Sequence, residues 1–542
     1  MEIDYKKKKY LVIDDFPGFR RTVQQMLNAI GAEHVDTAES AEKALELARR
    51  GRYDVVVCDY NLGDAKDGQD LHEEMVAEGL ADQRTAFLMA TAEDTRAMVL
   101  ASLECEPDAY LTKPFNKQVL LSRLEKVLRK KIILRDIYQA LADKDPRRAV
   151  EQCDALMAKD PRLASLCLKI KAECLMDLKQ LAAASEVYAQ VLEKQDLPWA
   201  MIGMGRVLFL RGDYDSSATF FQDLLAQNNR YMVAYEWLAR CHERMQDKNA
   251  AKRDLARAQE ISPKSVSRNI HLAELAEDVA DQETAVKAWR HAVRFGKHSR
   301  HKRPDTYVKL ARSLHTMMSD DSSIANARYA AEANQVLDTV CHDYPRDQEV
   351  KMRAGLTIAC IQDKQGRSKE AEAQRSKALK IAEHLDDVSS ASTLLELAEG
   401  YDITEQPEKA QQALEKLVDL FPDDERSIAR TEVLIQDKTL LLAQQAAAAE
   451  NRRGMEHYDR GDYATALVAF RKAVTQSPGN ISFSLNAAQV LTEEIENHTQ
   501  PKARVDEVLN YLKPGRGLSR EDHRWPRYTE LRRRAANIKA GV

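Results

Sequence analysis

Apolar residues are distributed differently in the two parts of this chain. From residue 10 to about residue 128, short apolar runs of β type alternate with amphipathic stretches of helical period. The runs predict strands at residues 10–13, 34–37, 55–58, 86–90 and 109–111, and the stretches between them predict helices that include 19–29, 41–50 and 68–78. Short strands that alternate with helices form βαβ units, so this part predicts a parallel sheet covered by helices on both faces.

From about residue 132 onward, the pattern is helical and repeats with a period of 34 residues. Small residues stand at the 8th and 20th positions of a repeat, an aromatic residue at the 24th and proline near the 32nd. The repeat is clearest at Gly454, Gly461, Tyr463, Ala466, Phe470, Ala473 and Pro478, and its register is kept over three consecutive units within residues 198–299. Each unit is predicted to be two closely packed helices, with the proline ending the second. Because one unit cannot bury its own apolar face, the units are expected to stack into an all-α superhelix with a concave groove.

The regions between these patterns are expected to be helical too. Residues 118–141 form one nearly uninterrupted amphipathic pattern, which predicts a helix that runs directly into the repeats. Segments 304–385 and 423–453 fit the period poorly, so irregular or longer helical hairpins are expected there. The predicted organisation is an α/β domain (8–128), a connecting helix (129–148), regular repeats (149–300), irregular helical repeats (301–425), and a C-terminal helical region (426–542) with a repeat near 447–480 and a basic capping helix.

Length and composition narrow the class of protein. A chain of 542 residues is too long for one hydrophobic core. Charged residues make up 31% of it and the net charge is only −5, which argues against a general nucleic-acid coat. No apolar run has the length of a membrane span or of a signal peptide. The eight cysteines are scattered without metal-binding spacing, and a cytoplasmic location is expected.

Charged and polar residues follow four of the predicted strands. The acid pair Asp14-Asp15 comes after the first strand, Asp59 after the third, Thr91 after the fourth and Lys113 after the fifth. In a parallel sheet of this kind, the ligand site lies at the carboxyl ends of the strands. These residues therefore predict one pocket that binds a divalent cation and carries a phosphoryl group on an aspartate.

In this order and at this spacing, the residues resemble the receiver domain of two-component response regulators. The resemblance covers residues 8–128 and implies a flavodoxin-like, doubly wound (βα)5 fold. It also implies that Asp59 is the phosphoacceptor. Mg²⁺ would be bound by Asp59, by Asp15 directly, by Asp14 mostly through water, and by the backbone carbonyl of Asn61. The expected phosphoryl donor is a sensor histidine kinase or a phosphotransfer protein of a bacterial phosphorelay.

The resemblance assigns roles to three further residues. Lys113 would pair with the phosphoryl group and Thr91 would hydrogen-bond it. Tyr110, three residues before that lysine, would occupy the rotameric switch position. A new acyl phosphate adds roughly one to two negative charges, and the movement of these side chains toward it would couple the site to a distant surface.

The loop after the phosphoacceptor departs from the family pattern. Residues 61–68 are one residue longer than is usual and carry glycine where proline is common. Asn61 and Glu93 are residue types associated in this family with comparatively quick hydrolysis. A short-lived phosphoryl state is therefore predicted.

The 34-residue pattern resembles the tetratricopeptide repeat, a family whose arms commonly hold a protein or peptide segment in the groove. No helix-turn-helix with a basic recognition helix and no Walker A loop stands out, so DNA binding and catalysis beyond autodephosphorylation are not expected. Two basic segments, 297–303 and 524–534, leave RNA binding open as an alternative. Trp525 and Tyr528 support it, because aromatic residues interleaved with cations stack on bases.

Two main functional hypotheses follow. In the first, the protein is an adaptor whose repeat groove binds or releases a protein partner when Asp59 is phosphorylated. In the second, it is a constitutive scaffold or phosphate sink in which the receiver mainly docks the kinase. Partner binding that responds to Asp59→Ala would favour the first.

Overall fold

The computed structural model of the protein describes residues 3–63, 66–91, 107–319, 323–385, 388, 390–422, 424–497, 502–518, 522 and 524–540. The chain divides into two compact units, Met1–Met317 and Met318–Val542. The first unit contains the sheet and the first series of repeats. The second contains helices and short 3-10 turns.

A five-stranded parallel sheet forms the start of the first unit. Its strands are β1 (Lys9–Ile13), β2 (His34–Ala38), β3 (Val55–Asp59), β4 (Ala86–Thr91) and β5 (Ala109–Thr112), in the spatial order β2-β1-β3-β4-β5. The helices described with it are α1 (Pro17–Asn28), α2 (Ala41–Arg50), α3 (Gly68–Ala77) and α4 (Lys117–Ile133). The predicted parallel α/β fold is confirmed, and each strand is one residue longer than the apolar pattern indicated.

The sheet is covered on both faces because its strands alternate side chains between two cores. Along β1, Tyr10 and Val12 pack in the core that includes residues of α1 and α4. Leu11 and Ile13 pack in the opposite core with residues of α2 and α3. Strands with two buried faces read as continuous apolar runs, which is why the runs were recognisable in the sequence.

The connection from the sheet to the repeats contains a break. The predicted helix over 118–141 is two helices, α4 and α5 (Arg135–Ala142), separated by Leu134. Leu134 is buried and belongs to the same core as Ile137, Cys153 and Cys167. The prediction of one uninterrupted helix is therefore wrong at Leu134. The chain changes direction there because the connection packs against the first repeat hairpin.

Helices fill the rest of the first unit. They are α6 (Pro146–Lys159), α7 (Ala164–Asp177), α8 (Leu181–Leu192), α9 (Pro198–Leu210), α10 (Tyr214–Gln227), α11 (Met232–Arg244), α12 (Lys248–Ile261), α13 (Val266–Asp278), α14 (Gln282–Gly296) and α15 (Pro304–Thr316), with a 3-10 turn at Pro161–Leu163 before α7. Each helix packs against the next in the chain, as stacked helical hairpins require.

Close helix packing explains the small residues of the repeat. A Cβ atom added to Gly205 would lie 2.6 Å from Cζ of Phe221, the aromatic residue of the same unit. The hydroxyl of buried Ser217 donates a hydrogen bond to the carbonyl oxygen of Gly205 at 2.8 Å. Small residues at the 8th and 20th positions thus allow the two helices of this unit to approach closely, beside the aromatic residue at the 24th position.

The turn inside each of three consecutive repeats has a common construction. A residue with positive φ is followed by an aspartate whose carboxylate accepts a backbone N–H of the next helix. The pairs are Gly212-Asp213, Gln246-Asp247 and Ala280-Asp281. A left-handed residue ends one helix and an aspartate N-cap begins the next, so two residues suffice for the reversal.

The second unit is helical. Its helices are α16 (Ile324–Asp343), α17 (Gln348–Lys364), α18 (Ser368–Ala382), α19 (Ala391–Ile403), α20 (Pro407–Leu420), α21 (Glu425–Leu434), α22 (Thr439–Asp459), α23 (Tyr463–Gln476), α24 (Ile481–Glu496), α25 (Val505–Tyr511) and α26 (Trp525–Ala540), with 3-10 turns at Lys502–Arg504 and Pro514–Gly517. Helices α16 and α22 have 20 and 21 residues, in the segments where longer hairpins were expected. Within the described ranges, no helix is both long and apolar enough to cross a membrane.

Candidate functional site

The predicted site residues that the structure describes meet at the carboxyl edge of the sheet. Asp14 directly follows β1, Asp59 is the last residue of β3, Thr91 is the last of β4, and Lys113 directly follows β5. Neighbouring strands are paired so that these ends are level, with Asp59 opposite Ala90. Parallel pairing is thus what brings together residues that are far apart in the sequence.

Three carboxylates are clustered at this edge. Asp14, Asp15 and Asp59 each offer an oxygen, and these oxygens all lie within 4.8 Å of one another. Asp14 is 1% exposed and Asp59 is 8% exposed, whereas Asp15 is open to solvent. A few carboxylate oxygens beside solvent suit Mg²⁺, which keeps several of its waters. The donor set therefore fits the cation that the receiver resemblance implies.

Lys113 connects the two buried carboxylates. Its Nζ lies 2.6 Å from Oδ2 of Asp14 and 2.8 Å from Oδ2 of Asp59. Burial alone would lower the pKa of Lys113, but its hydrogen bonds to these two carboxylates raise the pKa above the ordinary value. Burial raises the pKa of Asp59, while the hydrogen bond from Lys113 opposes that rise. The ammonium group thus supplies a positive charge at the oxygens of the predicted phosphoacceptor.

Two residues of α1 contact Lys113 or Asp14, and neither was predicted as a site residue. The ammonium group of Lys113 lies 4.1 Å from the ring centroid of Phe19, a cation–π distance. The guanidinium of Arg20 donates a hydrogen bond to the backbone carbonyl of Asp14. Both residues lie in the first turn of the helix that follows the acid pair.

Thr91 is the last residue of β4, and Tyr110 lies on the neighbouring strand β5. Thr91 is buried, and its carbonyl oxygen accepts the backbone N–H of Lys113 at 2.7 Å. Tyr110 is partly buried on β5 opposite Met89 and packs against the core on the α2 and α3 face. Glu93, which was associated with rapid hydrolysis, lies outside the described residues.

The loop after Asp59 is anchored to the site at both ends. The N–H of Tyr60 donates to the carbonyl of Ala90 at 2.7 Å, and the N–H of Gly68 donates to the carbonyl of Tyr60 at 2.8 Å. A Cβ atom added to Gly68 would lie only 2.2 Å from the carbonyl oxygen of Asp59. Glycine at this position is therefore required for the loop to close on the phosphoacceptor.

Asp67 begins α3 beside this glycine. Its carboxylate accepts the N–H groups of Gln69 and Asp70, each at 3.0 Å, and the Asp70 carboxylate in turn accepts the N–H of Asp67. This capping box ties the end of the loop to the helix. Asn61, at the other end, is exposed, and its side-chain oxygen accepts the N–H of Gly63 at 3.3 Å.

The two basic segments contact acidic and polar groups of the chain itself. In the 297–303 segment, Ser299 is buried, and Nε2 of His301 lies 3.9 Å from a carboxylate oxygen of Glu73 in α3. In the 524–534 segment, the ion pairs and hydrogen bonds include Arg524 with Asp522, Arg527 with Gln489 and Asn486, Arg533 with Glu530, and Arg534 with Glu496. Tyr528 is 1% exposed. This arrangement supports the capping-helix interpretation of the tail.

Comparisons with known proteins cover the sheet domain and one repeat. A family model described as the response regulator receiver domain matches residues 10–125, and a tetratricopeptide repeat model matches residues 233–265. Chemotaxis protein CheY-3 of Vibrio cholerae serotype O1 is 30% identical over 122 residues, which are 22% of this chain and 92% of that protein. Chemotaxis protein CheY of Pseudomonas aeruginosa is 31% identical over 122 residues, which are 22% of this chain and 94% of that protein.

A similar solved structure also matches only about a fifth of this chain. The chemotaxis response regulator CheY4 of Vibrio cholerae is 29% identical and matches 22% of this chain and 98% of its own, with a TM-score of 0.21.

Proposed function

We propose that this chain, which belongs to the response-regulator receiver family, accepts a phosphoryl group on Asp59 and signals by protein binding through its tetratricopeptide repeats. The observation that carries the proposal is the contact of Lys113 with Asp14 and Asp59, at 2.6 and 2.8 Å, inside a cluster of three carboxylates. Two buried acids, a third exposed acid and one lysine at the strand ends form a site for a doubly charged cation and a phosphoryl group together.

The proposed reaction is phosphoryl transfer from a histidine. A carboxylate oxygen of Asp59 forms the new bond to phosphorus while the phosphorus–nitrogen bond of the donor's phosphohistidine breaks. Mg²⁺, when bound, would neutralise charge on the transferring group, with Asp14, Asp15, Asp59 and the carbonyl of Asn61 as its protein ligands. Lys113 would leave its contact with the free carboxylate and pair with the phosphoryl oxygens.

The response to phosphorylation is proposed to pass through β4 and β5. Thr91 would hydrogen-bond the phosphoryl group, and Tyr110 would turn into the space that this movement leaves. The acyl phosphate carries roughly one to two negative charges, which is a large change beside two buried carboxylates. Asn61 near the site supports the prediction of a short-lived phosphoryl state.

Incubation of the full chain with acetyl phosphate and Mg²⁺ tests the site. We expect phosphoprotein on a phosphate-affinity gel for the unchanged chain and none for Asp59→Asn. The matched control is Asp54→Asn. Asp54 directly precedes β3, at the end of the strand away from Asp59, and its carboxylate accepts the N–H of Lys9 at 2.9 Å. Loss of phosphorylation in both variants, or in neither, would contradict the assignment of Asp59.

The repeats are proposed to be the output, in a protein of the cytoplasm. The seven cysteines that the structure describes are free thiols, which fits a reducing compartment. Affinity purification with the full chain, with and without beryllofluoride as an acyl-phosphate mimic, should yield a protein whose recovery changes with the mimic. Recovery that is insensitive to the mimic and to Asp59→Ala would instead favour the constitutive scaffold or phosphate sink. Recovery of RNA, lost on substitution within 297–303 or 524–534, would favour the RNA-binding alternative.

A further inference from the structure

Two exposed arginines of the repeat array lie over aromatic rings. The guanidinium carbon of Arg240 is 4.5 Å from the centroid of the Trp237 ring. That of Arg244 is 5.7 Å from the centroid of the Tyr214 ring, and its Nε donates a hydrogen bond to the Tyr214 hydroxyl at 3.2 Å. Among the residues that the structure describes, neither arginine has a carboxylate partner. Since a cation–π contact uses no N–H donor, the rings hold both guanidinium groups in place and leave most of their donors for a ligand.

These arginines belong to one face of α11. Val233, Trp237, Arg240 and Arg244 are three or four residues apart in turn, so they lie along the same side of the helix. Val233 is 36% exposed, which places an apolar side chain at the opposite end of this side from Arg244. We call these four residues the α11 face.

The end of α9 extends the α11 face with apolar surface. Helices α9 and α11 are the first helices of successive hairpins and lie side by side. The ring of Phe209 meets the ring of Trp237 edge to face, with 5.3 Å between their centroids. The next residue, Leu210, ends α9 and is 47% exposed. Exposed apolar side chains and exposed cations are therefore combined on one surface.

The nearby carboxylates are already paired within the array. Glu236 of α11 lies 3.0 Å from the guanidinium of Arg268, and Glu243 lies 2.9 Å from Nε2 of His271. The arginine of α9 beside Trp237, Arg206, is likewise paired, at 3.0 Å from Glu173. The α11 face thus carries two positive charges that the surrounding acids do not neutralise.

The chemistry of this surface favours carboxylates over a nucleic acid. The planar fork of a guanidinium matches the two oxygens of a carboxylate. A nucleic acid would also need a ring on which its bases stack, but Trp237 is already stacked on Phe221, with 6.3 Å between centroids and 14° between planes. In addition, Glu236 and Glu243 flank Arg240 along α11 and would repel an extended polyanion.

We propose that the α11 face, together with Phe209 and Leu210, binds an acidic segment of a partner protein. Two carboxylates of that segment pair with Arg240 and Arg244, and an apolar side chain beside them packs on Val233 and Leu210. The inference rests on the proposed function of the repeats as the output, and it adds the chemistry of the partner and the place where it binds.

The test selects peptides from a phage-displayed library of random sequences on the immobilised full chain. We expect the selected peptides to be enriched in Asp and Glu next to Leu or Phe. The enrichment should disappear when Arg240→Gln and Arg244→Gln are combined. The matched control is Arg253→Gln, because Arg253 is an exposed arginine on α12, the other helix of the same hairpin.

Fluorescence anisotropy with one selected peptide measures the contribution of each arginine. Arg240→Gln and Arg244→Gln should each weaken binding about fivefold, the range of one exposed ion pair, and Arg253→Gln should leave the affinity unchanged. Arg240→Lys should recover only part of the loss, since an ammonium group lacks the planar fork. Binding should weaken as the salt concentration rises, and the same peptide with amides in place of its carboxylates should bind poorly.

Selected peptides without acidic residues, or the same enrichment on the double variant, would overturn the inference. So would single-stranded RNA, or a second copy of this chain, that binds the unchanged protein and is lost with the double substitution. The proposed function is tested separately by the recovery of a protein that responds to beryllofluoride. That recovery could persist in the double variant, in which case the repeats remain the output and only the α11 face is excluded as its binding surface.

Discussion

Different kinds of buried residue lie at the strand ends of the receiver domain and between the helices of the first repeats. At the receiver's strand ends, Asp14, Asp59 and Lys113 are charged groups that lie in contact with one another. Between the repeat helices, Gly205 and Phe221 fit by shape alone. Buried charges contribute little net stability, since desolvation offsets their attraction, whereas close apolar packing contributes a great deal. The contacts between charged groups at the strand ends are therefore expected to matter less for stability than the close packing between the repeat helices.

The largest change in stability is expected when a cavity is made between the repeat helices. Phe221→Ala removes a fully buried ring and should lower the free energy of unfolding by about 3–5 kcal/mol. Denaturant unfolding measures the loss, and Phe16→Ala is the control, because Phe16 is 67% exposed and its loss should change stability by less than about 0.5 kcal/mol. In native conditions Phe221→Ala should still be phosphorylated by acetyl phosphate. Loss of phosphorylation in a folded Phe221→Ala variant would show that packing within the repeats also affects the receiver site.

A smaller change in the free energy of unfolding is expected from Asp70, an acidic residue in the first turn of α3. Burial, together with the neighbouring carboxylate of Asp67, raises the pKa of Asp70 to about 6. Because this pKa is higher in the folded state than in the unfolded chain, the folded state holds the proton more tightly. Asp70 therefore destabilises the receiver progressively as the pH rises from about 4 to about 6.

Asp70→Asn removes that charge and keeps an oxygen for the N–H of Asp67, which the Asp70 carboxylate accepts at 3.3 Å. At pH 7 the variant should be more stable by about 1 kcal/mol, and the advantage should vanish near pH 4. Urea unfolding of the receiver at the two pH values measures both. A variant that is less stable at pH 7 would show that the ionised carboxylate stabilises the cap.

The smallest effect concerns two equivalent turns of the repeats. Gln246 has φ of 65° and Gly212 has φ of 85°, in the same position of neighbouring units. Gln246→Gly should stabilise the array by about 0.5 kcal/mol, and Gly212→Ala should destabilise it by about 1 kcal/mol, because only glycine adopts this conformation freely. Thermal unfolding of the two variants measures these shifts. Shifts of the same sign would show that the turns are not equivalent.

Most of the fold was predictable because the information is local. Fully buried strands produce continuous apolar runs, and the five strands were placed to within a residue. The repeat positions were predictable because small and aromatic residues recur at a fixed period. The break at Leu134 was not, since the residues on both sides continue a helical pattern and only packing against Cys153 and Cys167 interrupts it.

The candidate site was predictable to the same extent. Asp14, Asp59, Thr91 and Lys113 each follow an apolar run, and parallel pairing places such positions at one edge. Phe19 and Arg20 were missed because an aromatic residue and an arginine in the first turn of an amphipathic helix are ordinary. Their contacts with Lys113 and Asp14 depend on where α1 lies over the sheet.

The parallel sheet, the residues at its carboxyl edge and the hairpins of the repeats could be predicted from the sequence alone, since each follows from short-range periodicity and strand order. The position of a repeat turn beside the start of α3, close to the candidate site, depends on how the folded chain packs. Lys264 and Asp67 are 197 residues apart and meet at 3.2 Å. A lysine in a turn is normally solvated, and nothing near Lys264 in the sequence distinguishes it from the other cations of the chain. Its partner follows from the stacking of successive repeats, which sets where each turn is placed relative to α3.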